Sequence, residues 1–319
     1  MPEEPLDSWE MHLKRRENSV GSKRPSLLRR LLDSITGIRR KRDAAMALRP
    51  ALVEDGIHGD LQAWLDFNRV GAFASRQNLA LVAPFPPRRL MHKTTALRDT
   101  KDFAAHGHDI LKALSRASPT PLSTFADVLD FGVGVGRLAR MFKGFRGHYT
   151  GIDVDTGNIA WVAKALNYVD AIATKPRQAL PFVNNRFDCI ISISVFTHMS
   201  ERDQFFYLTE LARVARPGAT LLLTVHGERV LQRAETETRI FEMLAVPRHS
   251  IVHTRNLLAS AGFSFVLQPG GLNSEKYEYG TTFISADYIE REWSRYFDIE
   301  RICPAAIHDF QDIVVLRAR

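Results

Sequence analysis

Residues 126–140 read ADVLDFGVGVGRLAR. A short apolar run, Val128-Leu129, ends in Asp130, is followed by glycines at 132, 134 and 136, and re-enters as a helix-like RLARMF. A strand that stops in a glycine-rich turn and returns as a helix brings backbone N–H groups and a helix N-terminus close to a ligand. The absent Cβ atoms permit positive φ and close approach. Seventeen residues past Gly136, the strand-like run from His148 to Ile152 ends at Asp153. An acid there is placed to accept hydrogen bonds from a ribose diol. The pattern predicts a nucleoside-cofactor cradle.

Two frames fit the glycines. Gly134-Val-Gly136-Arg-Leu-Ala139 matches G-x-G-x-x-[GA], the dinucleotide fingerprint, with Asp153 near the expected offset, and points to an NAD-dependent oxidoreductase. The longer frame, D-x-G-x-G-x-G from Asp130 to Gly136, resembles motif I of the class I S-adenosylmethionine (AdoMet) methyltransferases. Later segments favour the second. Arg186-Phe-Asp-Cys-Ile-Ile-Ser-Ile-Ser-Val-Phe-Thr-His198 begins with a turn-like FD, runs through a nearly continuous apolar strand, as a buried parallel strand should, and leaves the sheet at Phe196-Thr-His198. A helical pattern from Glu201 to Ala215, the break Arg216-Pro-Gly218, and a second buried strand, Ala219 to Val225, then lead to His226-Gly227. This series, with the tail beginning FISADYIEREW, resembles a bacterial group of class I methyltransferases carrying SVFTH and T-x-H-G, over roughly residues 95–319.

The resemblance implies AdoMet as cofactor and a binding set of Asp130, Phe131, Gly132, Gly134, Gly136, Arg137, Asp153, Val154 and Ser194. Asp130 would lie near the amino-acid portion and Asp153 at the ribose, with Ser194 and Phe196 lining the methionine end. The acid or amide that often follows the third strand in this family is missing: the chain reads Ala173-Thr-Lys-Pro176, leaving adenine to backbone and apolar contacts. His198 and His226 both follow strand ends on the cofactor side and are the candidate general bases, suited to an oxygen acceptor near neutral pH. Asp188 belongs to the turn entering its strand rather than to the chemistry.

Strands alternating with helices predict an α/β doubly wound, Rossmann-like parallel sheet. The resemblance implies seven strands with an antiparallel last strand, here in a closing hairpin of Phe297–Ile302 and Asp312–Leu316. Helices are expected over 99–117, 137–143 and 156–166, with strands over 148–153 and 168–173. Residues 51–94 read as a helical extension and linker, Pro84-Phe-Pro-Pro87 marking the boundary to a domain over 95–319. Residues 228–280 read as the acceptor lid, with Gly270 and Gly271 as hinges and Tyr277, Tyr279 and Phe283 as stacking rings. Phe103 or His106, on the helix preceding the first strand, would approach the cofactor mouth.

Charge is unevenly placed. Residues 11–50 hold twelve Lys/Arg against three acids, a net of +9, so with +7 for the whole chain the remainder sums to −2. The catalytic region therefore offers no polyanion surface, and nucleic acid is disfavoured as a partner. Leu27, Leu28, Leu31, Leu32, Ile35 and Ile38 recur at helical spacing among arginines. Such a basic amphipathic helix docks on its own domain, on an anionic membrane face, or on a partner protein. No apolar run approaches the ~18 residues that cross a bilayer, and the acidic N-terminus lacks a secretory signal. Cys189 and Cys303 are expected as reduced thiols, and His106-Gly-His108 lacks the further ligands of a metal site. These features point to a cytoplasmic enzyme, with peripheral membrane attachment as a docking mode, acting on a small or carrier-linked organic acceptor. Oxygen is favoured over nitrogen, and a glycan or secondary-metabolite intermediate is the leading class. The alternatives are the oxidoreductase and a non-catalytic AdoMet-binding regulatory subunit.

Overall fold

The computed structural model describes residues 49–268 and 278–319. The expected basic helix and the lid positions Gly270, Gly271 and Tyr277 lie outside the described residues. In chain order the elements are α1 (Arg49–Asp55), α2 (Leu61–Arg69), α3 (Arg76–Leu81), α4 (Arg88–Thr95), α5 (Thr100–Ala117), β1 (Asp127–Phe131), β2 (His148–Asp153), α6 (Thr156–Ala165), β3 (Val169–Ala173), β4 (Phe187–Ser192), α7 (Glu201–Val214) and β5 (Ala215–Val225). They continue with α8 (Glu228–Thr236), α9 (Thr238–Leu244), α10 (Arg248–Ala261), β6 (Phe263–Leu267), β7 (Gly280–Ile284), α11 (Ala286–Glu292), β8 (Phe297–Ile307) and β9 (Gln311–Ala318).

Seven strands form one sheet in the order β3-β2-β1-β4-β5-β9-β8. The first five run parallel, and β9 is antiparallel to both neighbours. Alternation within each strand sends side chains to opposite faces. Val128, Ile191 and Val315 pack beneath α5, α6 and the early helices, while Leu129, Ile190 and Leu316 pack beneath α7 and α11. Strand order reverses between β1 and β4, where an open α/β sheet forms its ligand crevice. Caps set the helix starts around that crevice: Asp99 accepts from Lys101 N, Asp155 from Gly157 N, and Ser200 from Asp203 N.

Three expectations change. After the glycine turn there is no α-helix over 137–143, only a 3-10 turn, Ala139–Phe142, ended by Gly144 at φ +82°. Three positive-φ glycines at 132, 134 and 136 coil the chain too tightly for consecutive i→i−4 bonds. Secondly, residues 51–319 form one compact unit, so the helices before Pro84 belong to the core. Trp64 is fully buried and its indole N–H donates to Met141 O at 2.8 Å. Thirdly, the region after β5 contains a two-stranded antiparallel ribbon, β6–β7, with a small core of its own around Leu231, Ile240, Leu258 and Phe283.

The Pro84–Pro87 break is pinned from inside. The Arg140 guanidinium, 2% exposed, donates to Ala83 O and Pro84 O and lies 3.6 Å over the Phe85 ring, with no ion-pair partner among the described residues. Burial pulls its pKa down to about 10, which leaves it a cation at neutral pH. Arg140→Met keeps most of the volume but leaves the buried Ala83 carbonyl and the part-buried Pro84 carbonyl without their donor, so about 2–5 kcal/mol of stability is expected to be lost. Urea unfolding monitored by tryptophan fluorescence, with an unchanged m-value, checks this.

Candidate active site

A cavity of about 240 Å³ opens at the C-terminal ends of β1, β2 and β4. Its floor is the glycine loop. Gly132 N and Val133 N both donate to Ile152 O, and Gly134 N donates to Asp153 Oδ2 at 2.8 Å. The other Asp153 oxygen accepts from Asp155 N at 2.7 Å. This half-buried carboxylate thus ties β2 to the loop leaving β1, and burial raises its pKa despite those two bonds. Asp130, 2% exposed, accepts from Tyr149 Oη at 2.8 Å, and burial pushes it up to about 7. Arg137 reaches the same wall with no hydrogen-bond partner among the described residues, and burial lowers it to about 10.

The remaining sequence candidates separate by position. Phe131, Val154 and Ser194 line the cavity with Gly132, Gly134 and Asp153. Ser194 takes φ +60°, its N–H donating to Thr224 Oγ1 and its hydroxyl bonded to Gln311. Gly136 does not reach the wall; a Cβ there would meet Leu166 Cδ1 at 2.6 Å, so its small size serves packing against the segment after α6. Phe196 is fully buried against Phe131 and Trp293 and lines nothing. Phe103 is likewise a core residue, and His106 packs against His308 at a tilt of 55°, away from the cavity. Asp188 accepts from Ala126 N and Asp127 N, bracing the start of β1.

The two histidines part company. His198 lines the cavity; its Nδ1 lies 2.8 Å from Gly280 O. A carbonyl only accepts, so Nδ1 carries the proton and Nε2 of the neutral ring keeps the lone pair. The imidazole stacks on Tyr279, with centroids 4.8 Å apart and planes at 15°, and burial lowers its pKa below the usual 6.5. His226 stands behind it, 3% exposed, between Phe283 and Phe310, and is not on the cavity wall. Burial, then the neighbouring His198, push it down to about 3, so it is a neutral packing residue rather than a base facing a substrate. Of the predicted stacking rings, Phe283 is fully buried against His226, and Tyr279 faces His198.

Other wall residues carry no local sequence signal. Thr94 of α4 closes the cavity by donating to Asn158 Oδ1 at 3.1 Å, beside a Lys93–Asp155 pair at 2.6 Å. Thr174, Arg177, Asp203 and Tyr207 form the far side, where Arg177 pairs with the buried Asp203. The described residues hold no group of ligands able to bind a metal, and both cysteines are free.

Gly132 sits at φ +87°, and a Cβ there would lie 2.2 Å from Val195 Cγ2. Gly132→Ala combines backbone strain of about 1–2 kcal/mol with a steric clash. Thermal melts are expected to show a drop that Val195→Ala relieves only in its steric part.

A family model described as a methyltransferase domain matches residues 129–223. A rice (Oryza sativa subsp. japonica) protein named "Probable tocopherol O-methyltransferase, chloroplastic" is 28% identical over 129 residues, 38% of this chain and 34% of its own. The fatty-acid O-methyltransferase of Mycolicibacterium smegmatis is 34% identical over 102 residues, 30% of this chain and 36% of its own. The chain thus spans about a third of the length of the curated relatives it matches. The crystal structure of the PH0226 protein from Pyrococcus horikoshii OT3 shares the fold, with a TM-score of 0.51 at 14% identity over 72% of this chain and 97% of that one. The matched residues run from β1 into β5 through the glycine loop and much of the cavity wall, so it is this stretch of the seven-stranded sheet that is similar to a methyltransferase domain.

Proposed function

We propose that the protein transfers the methyl group of AdoMet to an oxygen of a small or carrier-linked organic acceptor, with His198 as general base. The observation that carries this reading is the His198 imidazole on the wall of the cofactor crevice, Nδ1 held by Gly280 O and Nε2 without a protein partner among the described residues. The donor set suits a zwitterionic nucleoside. Asp153 offers carboxylate oxygens at the end of β2 for a ribose diol, Arg137 a cation for a carboxylate, and Asp130 an acid for an ammonium group. Thr174 and the apolar wall leave room for a purine. AdoMet supplies an activated methyl on a sulfonium whose departure leaves a neutral thioether. The chain's own work is then to align acceptor and donor, exclude water and take up the acceptor proton.

A glycan or secondary-metabolite intermediate remains the leading acceptor class, on the sequence resemblance and on the lack of a basic face in the catalytic region. The composition of residues 11–50 supports docking of that segment on an anionic membrane face or a partner protein. Among the described residues no helix is long and apolar enough to cross a membrane. A cytoplasmic location fits the two free thiols.

Calorimetry with S-adenosylhomocysteine and with NAD separates the cofactor readings: tight NAD binding without thioether binding rejects this proposal. Asp153→Ala should weaken S-adenosylhomocysteine binding by about 1–3 kcal/mol through lost charge-assisted hydrogen bonds. The pH profile carries a sign. The active form of His198 is neutral and its pKa is lowered by burial, so kcat/KM is expected to hold as pH falls through 6.5 and to decline only below it. An acid limb centred above 6.5 would exclude His198 as the base.

A further inference from the structure

Where the cofactor's charges are met, the cavity has little charge left to offer. Asp155 is paired with Lys93 and Arg177 with Asp203. Asp153 braces the glycine loop from the end of β2. Asp130 and Arg137 flank that loop at the end of β1. The stretch of wall after β4 is different: Ile193, Val195 and Met199 line it, with the His198 ring and Tyr279. Among the described residues no unpaired cation stands there to meet a carboxylate or phosphate, and no carboxylate to meet an ammonium. A charged acceptor would leave water without compensation, at a cost that neutral compounds escape.

The base itself narrows the choice. His198 cannot turn, because Gly280 O holds Nδ1 and the Tyr279 ring lies nearly parallel against one face. Tyr279 is fixed in turn by a strand-like bridge to Met199, and Thr282 Oγ1 donates to Met199 O at 2.6 Å. The neighbouring His226 is buried and neutral, and the burial of His198 outweighs the Gly280 carbonyl that favours an imidazolium. Such a ring is a weak base. It draws a proton from a hydroxyl whose own acidity is near that of a phenol, about 10 as in tyrosine, far more readily than from an aliphatic alcohol.

Building on the methyl-transfer reading above, and favouring a secondary-metabolite intermediate over a glycan, we infer that the acceptor is an uncharged, flat molecule presenting a phenol- or enol-type hydroxyl to Nε2 of His198. In the transfer, the acceptor O–H bond breaks and its proton passes to Nε2. An oxygen lone pair forms the new O–CH3 bond as the S–CH3 bond breaks, its electron pair remaining on sulfur. The imidazolium then returns its proton to water. Tyr279 is a positioning residue in this scheme, holding the imidazole plane through the stack.

The full chain saturated with S-adenosylhomocysteine is titrated by calorimetry with 2-naphthol, 2-naphthoate and 2-naphthylmethylammonium, one ring system bearing three functional groups. We expect 2-naphthol to bind at least tenfold more tightly than either ion. His198→Gln should erase at least fivefold of that preference while leaving S-adenosylhomocysteine affinity within twofold, which also shows the variant folded. With AdoMet, methyl transfer to 2-naphthol should exceed that to 2-naphthylmethanol at least tenfold. Tyr279→Phe, which keeps the stack, should preserve the acid limb of that rate, and Tyr279→Leu should shift it upward. Equal or tighter binding of either ion, no binding of 2-naphthol, or comparable transfer to the aliphatic alcohol overturns the inference. Failure of S-adenosylhomocysteine to bind the unaltered protein would instead remove the cofactor reading on which it rests.

Discussion

One carboxylate fastens the crevice together. Asp153 ends β2, and its two oxygens take the N–H groups of Gly134 and Asp155, joining the loop that leaves β1 to the turn that starts α6. Without that tie, the glycine loop would hold its shape mainly through two N–H groups sharing Ile152 O. A carboxylate accepting backbone donors in a half-buried setting is a strong and directional clamp. The same group lines the cavity, so the element that shapes the loop is also part of the cavity wall.

The second constraint comes from the far end of the chain. The ribbon β6–β7 delivers Tyr279 and Gly280 to the loop after β4, where one stacks on His198 and the other accepts from it. A flexible side chain at a strand end becomes an oriented group because two consecutive residues, some 80 positions later, close around it. The early helices do similar work on the other side, Thr94 reaching across to Asn158. The glycine floor, the His198 wall and the roof of the cavity thus come from three separate parts of the sequence, and the sheet's strand order brings them to one edge.

Much of the scaffold could be read locally. Apolar runs ending at Asp130, Asp153 and Ser192 are buried parallel strands, and the expected bounds of β2, α6 and α7 agree with the structure to within a residue. These elements are legible because burial on both faces, or on one face of a helix, imposes a pattern on neighbouring residues. The glycine cluster was legible as a cradle but not as a mixture of roles. Gly132 and Gly134 shape the floor, while Gly136 makes room for Leu166, a neighbour 30 residues away. The RLARMF run looks helical by composition, yet three positive-φ turns leave it a single 3-10 turn.

From its residues alone, this chain declares a parallel α/β sheet, a nucleoside crevice at the strand ends, and the acids facing it. Those features depend on short-range periodicity and on backbone freedom at particular glycines, and both are written in adjacent letters. Which histidine meets the cavity was decided by tertiary packing. His198 ends the turn that follows β4 and His226 directly follows β5, and the rings of Phe283 and Phe310, with the stack of Tyr279, enclose the second and leave the first at the wall. Burial and hydrogen-bond partners set a group's protonation and reach, and both belong to neighbours that the linear order keeps far apart.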